Sequence, residues 1–91
     1  MTRVHEIKCD EPHFTDVSEG RKRFEVRFWD RDYQVGDFLE LISVKTAKRI
    51  RVEVLHLLAG DEYCTYGIRK GWVIMSIRLT GWEGQNELPS L

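Results

Sequence analysis

From Arg21 to Trp29 the side chains alternate, with Phe24, Val26 and Phe28 on one parity and Arg23, Glu25, Arg27 and Trp29 on the other. Successive residues of a strand point to opposite faces. A period of two therefore commits this segment to a β-strand with one apolar face, expected to be the buried one. The period returns at Ile50, Val52 and Val54, set against Arg49, Arg51 and Glu53, and again at Val73, Met75, Ile77 and Leu79. Phe38 to Val44 is apolar on both parities, as expected of a central strand, and Val4 to Lys8 reads as a short first strand. After Val54 the apolar parity passes to Leu55 and Leu57, the mark of a bulge or bend.

Between the first two strands, Pro12 suits the first position of a helix and Gly20 its left-handed end. Phe14 and Val17, three apart, give that short helix one face to bury. Asp30 to Asp37 is a polar loop closed by a Gly-Asp turn, and Ala59 to Gly71 is a longer loop carrying Tyr63 and Tyr66. Lys45 to Lys48 reads as a hairpin connection, although no glycine supports it. From Thr80 the pattern lapses, so residues 1–79 are expected to form the domain and 80–91 a loose tail. The expectation is an α+β chain: a small, mostly antiparallel β-barrel or curled sheet with one or two short helices.

At 91 residues and 10.8 kDa, there is room for one modest core. No apolar run reaches the ~18 residues of a membrane span, and the first residues lack the apolar stretch of a secretory signal. Cys9 and Cys64 are too few for a disulfide scaffold and read as small half-buried hydrophobes. A cytoplasmic protein is expected. The phosphate-loop, dinucleotide and nucleophile-elbow patterns are missing, and no second ligand pair accompanies His5 and Cys9, so neither metal nor cofactor is expected. His13 and His56 read as ordinary structural residues.

The net charge of −1 hides an uneven distribution: −3 over residues 1–20, +4 over 21–51 and −2 over 52–91. The basic stretch suits either a phosphate-contacting face or the soluble outside of a small barrel. Within it, Glu25 and Arg27 share one strand face, and Lys22 joins them only if it lies in the turn after Gly20, before alternation begins. An ammonium, a carboxylate and a guanidinium would then converge, able to grip phosphate and a base edge. Taken without relatives, the same residues also fit a solvated Glu–Arg pair worth under ~1 kcal/mol.

Gly20-x-Lys22-x-x-Glu25-x-Arg27 resembles the G-x-K-x-x-E-x-R signature of ASCH domains, members of the PUA-like superfamily. Three more blocks, His5-Glu6-Ile7-Lys8, Asp30-Arg31-Asp32-Tyr33-Gln34-Val35-Gly36-Asp37 and Gly71-Trp72-Val73-Ile74-Met75-Ser76-Ile77, resemble a branch of small phage and bacterial proteins known as DUF3850. The resemblance spans about residues 4 to 79. It implies a PUA-like barrel with a cleft beside the helix and the motif strand, and an RNA- or nucleotide-binding role. On that reading Lys22 and Arg27 hold phosphate, Glu25 reads a base amino group, and Trp29 or Tyr33 stacks a base. Arg31 and Asp30 extend the rim, and His5 and Lys8 are family-typical strand residues that could face the cleft. Trp29 could equally cap the barrel edge.

Some ASCH proteins are enzymes, which makes a small hydrolase acting on a modified nucleoside or on RNA the alternative, with Lys22 as its catalytic residue. In the amidohydrolase group a Thr occupies the position of Glu25, so the same route is not expected here, and binding without catalysis is the favoured reading. The expected partner is RNA or a nucleotide, with no membrane, a monomeric or weakly dimeric state, and room for a host protein partner.

Overall fold

The computed structural model describes residues 2–82. Five strands and one helix follow in the order β1 (Val4–Cys9), α1 (His13–Ser18), β2 (Phe24–Phe28), β3 (Phe38–Ser43), β4 (Arg49–Ala59) and β5 (Trp72–Trp82). They form one sheet in the spatial order β1-β3-β4-β5-β2. The β2–β5, β4–β5 and β3–β4 pairs are antiparallel and β1–β3 is parallel. Of the two expected forms, barrel and curled sheet, the structure is the curled sheet: among the described residues no strand pairing closes it into a barrel. The sheet curls into a half-barrel whose two edges, β1 and β2, face each other across a seam.

Side chains bridge that seam. Arg27 Nη2 donates to the Lys8 carbonyl at 3.0 Å and Arg31 Nη1 to the Glu6 carbonyl at 3.0 Å. These bonds satisfy backbone acceptors that an edge strand would otherwise leave open to pairing with another chain.

The core lies inside the curl. Leu39 and Leu41 of β3, Val52 and Val54 of β4, and Val73 and Met75 of β5 are fully buried, joined by Ile7 and by Phe14 and Val17 of the helix. Each such side chain contributes about 1.5–3 kcal/mol relative to exposure. β3 is an inner strand between β1 and β4, with one face buried and the other half-buried. Register shifts interrupt β4 between Arg51 and Val52 and between Val54 and His56. The second is the bulge anticipated from the parity switch, and it returns Leu57 to the core while leaving Leu55 outside.

Strand β2 departs from expectation, because its two faces are exchanged. Glu25 pairs with Met75 and Arg27 with Val73, and directly opposite residues of a ladder share a face. Glu25 and Arg27 therefore point inward, and Glu25 is only 2% exposed. Phe24, Val26 and Phe28, expected in the core, are 47%, 46% and 54% exposed on the other face of β2, where they line the seam. There they sit beside the outward row of β5, with the Phe28 ring edge-on to Trp72 at 5.6 Å. Alternation fixes that a strand has two faces; the register with β5 decides which one is inside.

The helix starts one residue later than expected, with Pro12 in the capping position. Its first turn is tied down by Glu11, whose carboxylate accepts from Thr15 N–H at 3.2 Å and Thr15 Oγ1 at 2.6 Å. The hydroxyl bond is the main reason the Glu11 carboxyl is held below its usual range. The β3–β4 turn dispenses with glycine: Ala47 takes the left-handed conformation (φ 61°), and Ser43 Oγ accepts from the Lys45 and Thr46 N–H groups. β5 runs on to Trp82, three residues past the boundary read from the sequence. Residues 83–91, the remainder of that stretch, lie outside the described residues.

Much of the basic excess of residues 21–51 is matched on the convex face. Arg49 meets Glu6 at 2.9 Å and Glu40 at 3.1 Å, and Arg51 meets Glu40 at 3.0 Å. Hydrogen bonds from Arg51 and then Arg49 hold the Glu40 carboxyl below its usual range, burial opposing them. No helix among the described residues is long and apolar enough to cross a membrane.

Candidate functional site

The site begins with the way α1 ends. Gly20, at φ 80°, donates to the Val17 carbonyl at 3.0 Å, and Arg21 N–H to the Asp16 carbonyl at 2.9 Å, the paired bonds of a Schellman turn. Lys22 N–H also reaches the Asp16 carbonyl, at 3.0 Å. This doubled bond holds Lys22 in the turn, two residues short of β2. Freed from strand alternation, its side chain swings to the inward side, over the start of the strand.

There Glu25 holds two cations, one on each oxygen. Lys22 Nζ lies 3.3 Å from Oε1 and Arg27 Nε lies 2.9 Å from Oε2. The side chains of Lys22 and Arg27 keep 15% and 25% of their surface exposed, against 3% for Glu25. The carboxylate is thus the buried anchor, and the two cations form the wall that water reaches. Lys22 Nζ also lies 3.2 Å from His13 Nδ1 and 5.2 Å above the centre of the Phe24 ring. Arg27 uses two of its five N–H donors, on Glu25 and the Lys8 carbonyl, and the rest have no partner among the described residues.

These groups open onto a cleft of about 610 Å³ between the end of β1, the helix and the start of β2, within the usual size range of small-molecule sites. Cys9, Phe24 and Val26 supply its apolar surface. Lys8, Lys22, Arg21 and Arg27 face Asp10, Asp16 and Glu25 around it. Arg21 is occupied by Asp16 at 2.8 Å and by Glu19, which leaves Lys22, Arg27 and Lys8 as the other cations lining the cleft. Burial, reinforced by the nearby Glu25 charge, pushes the Cys9 thiol up to about 11, so it stays protonated and is a poor nucleophile at neutral pH.

A second hollow, of about 280 Å³, continues along the seam on the other side of Arg27. Ile7, Val26, Phe28, Trp72, Tyr33, Asp30 and Arg31 line it together with Arg27 itself.

The sequence-derived candidates therefore divide. Lys22, Glu25, Arg27 and Lys8 meet at the first cleft, while Asp30, Arg31 and Tyr33 line the second hollow. His5 reaches neither. It is buried, 2.9 Å from Asp37 through Nε2, with its ring edge-on to Tyr33 at 5.0 Å. Asp37 further accepts from the Arg3 and Gln34 N–H groups. Burial alone would raise the Asp37 carboxyl, but these bonds, that from His5 foremost, outweigh it and hold the carboxyl below its usual range.

The Trp29 side chain lines neither hollow; the residue's backbone N–H donates to the Gly71 carbonyl at 2.6 Å. His13 and Trp72 were not singled out by sequence. His13 arrives through the helix and the Schellman turn, and Trp72 through its register opposite Phe28, neither of which is written in local spacing. Among the described residues no group of three or more His, Cys, Asp or Glu side chains is placed to hold a metal ion.

Over 41 residues the chain is 46% identical to an uncharacterized 12.9 kDa protein encoded in the GpA 3′ region of Escherichia phage P2. That match covers 45% of this chain and 38% of the phage protein, so the chain spans well under half the length of this relative. A family model described as a domain of unknown function (DUF3850) matches residues 4–77, a stretch holding β1, the helix, the Lys22–Glu25–Arg27 cluster and most of β5. The chain belongs to the DUF3850 family.

Proposed function

We propose that this protein is a nucleotide- or RNA-binding module of the ASCH/PUA-like kind, with its ligand in the cleft between β1, α1 and β2. One observation carries the reading: a buried carboxylate, Glu25, holds an ammonium and a guanidinium side by side at the wall of an open cleft. A surface ion pair needs no burial and no hollow. Here the cations are oriented before a ligand arrives, which lowers the ordering cost of gripping a phosphate. Both oxygens of Glu25 are engaged, so its part is to position Lys22 and Arg27 rather than to read a base edge. Phe24, Val26 and Cys9 offer apolar surface to the nucleoside.

Binding is favoured over hydrolysis by the lining itself. It includes no Ser or Thr, and its thiol is held protonated. Incubation with N4-acetylcytidine, followed by chromatography, is expected to return the substrate unchanged.

The binding reading is tested by calorimetric titration with AMP, CMP, GMP and UMP and with a 12-nucleotide RNA at low salt. Binding of at least one of these, lost in folded Lys22→Ala and Arg27→Ala variants, is the expected result. No binding to any of them, or binding that both substitutions leave intact, would overturn it.

A further inference from the structure

The cleft does not stop at the nucleotide site. Arg27 and Val26 line both hollows of the seam, so the two spaces adjoin across one guanidinium. The second differs in chemistry from the first. Its walls are the aromatic residues Trp72 and Phe28 with Ile7 and Val26, and the one phenol, Tyr33, is 1% exposed and forms no side-chain hydrogen bond among the described residues. Arg31 stands at the wall, but it is tied to the Glu6 carbonyl at 3.0 Å and lies 3.6 Å from Asp30. With a carboxylate beside its cation, this hollow is a poor trap for a second free phosphate. A flat, hydrogen-bonding heterocycle fits it better, with Trp72 to stack on and Asp30 and Arg31 to meet its polar edge.

We infer that the seam takes two consecutive nucleotides of a single strand: one in the Lys22–Glu25–Arg27 cleft, the next base in the Trp72–Tyr33 hollow, and the linking phosphate at Arg27. A base in a stacked duplex could not enter either hollow, so the ligand is single-stranded. This rests on the nucleotide-binding reading above and narrows it from a mononucleotide to a strand segment.

The test compares AMP with pApA, and UMP with pUpU, on the wild-type protein by calorimetry, with the deoxy dinucleotides added to separate RNA from DNA. The dinucleotide is expected to bind about tenfold or more tighter than its mononucleotide, the scale of one stacked base. Trp72→Ala and Arg31→Gln should erase that gain and leave mononucleotide affinity unchanged, and Trp72→Phe should restore most of it. In wild-type NMR spectra the Trp72 indole N–H, assigned by its loss in Trp72→Phe, should shift with the dinucleotide and stay in place with the mononucleotide.

Mononucleotide binding without a dinucleotide gain would overturn the two-nucleotide inference while leaving the binding module intact. So would a gain that persists in both Trp72→Ala and Arg31→Gln. Failure of mono- and dinucleotides alike would overturn both.

Discussion

Glu25 stands directly opposite Met75 in the β2–β5 ladder, a carboxylate on the face where its cross-strand neighbour is fully buried. An apolar residue would serve the core better at that position, since taking a carboxylate out of water is costly unless it is paired. The pairing here is complete, but with cations that keep contact with water at the cleft mouth. Replacing Glu25 should therefore separate stability from function. Glu25→Met is expected to hold unfolding free energy within about 1 kcal/mol of wild type, because Lys22 and Arg27 can turn to solvent and the methionine packs against Met75. Its nucleotide affinity should fall at least tenfold. Urea unfolding and calorimetry on the same preparations check both halves.

Lys22 makes a different prediction. If it and Arg27 neutralise phosphate, RNA affinity must fall with salt, and each phosphate contact contributes about 0.7 to the slope of log K against log salt for a single strand. Lys22→Ala should lower that slope by about this amount as well as weaken binding. Fluorescence anisotropy of a labelled 12-mer from 50 to 300 mM salt measures it, and a slope unchanged by the substitution would place Lys22 off the ligand.

The two thiols should behave differently. Cys64 lies exposed in the β4–β5 loop, whereas Cys9 is buried and pushed up to about 11. Alkylation at pH 7.5 is expected to modify Cys64 quickly and Cys9 slowly, with Cys9 reacting at the Cys64 rate only after denaturation. Peptide mass spectrometry over a time course resolves the two sites.

Asp37 contributes to the acid limb of stability, alongside the lowered carboxyls of Glu11, Glu40 and Asp61. Its carboxyl is held below the unfolded value of about 3.9, so the stabilisation is complete above that pH and is lost as pH falls toward and through the folded value. Stability should therefore decline from about pH 5 downward. Asp37→Asn should be less stable than wild type at pH 7 and show a shallower decline over that window. Asp37→Ala, which strands His5 and the Arg3 and Gln34 N–H groups, should cost about 2–3 kcal/mol. Thermal melts between pH 3 and 7 provide the comparison.

These residues also mark how far sequence could reach. The period of two located β2, β4 and β5, apolar content located β1 and β3, and Gly20 marked the turn on which the meeting of Lys22 with Glu25 depended. The inward direction of Glu25 was not legible, because both parities of β2 are consistent with a half-buried strand and only the long-range register with β5 decides between them. Barrel and curled sheet stayed undecided for a related reason: strand count alone does not say whether the edges pair, and here Arg27 and Arg31 bridge them instead. His5 carried a motif position into the wrong environment, since Asp37, 32 residues away, claims its ring.

The cleft itself is tested most directly by soaking crystals with a mixture of the four ribonucleoside monophosphates. Density for a nucleotide between β1, α1 and β2, its phosphate within hydrogen-bond reach of Lys22 Nζ and Arg27, is the predicted result. A nucleotide bound elsewhere, or a seam that stays empty while Lys22 and Arg27 turn away into solvent, would contradict it.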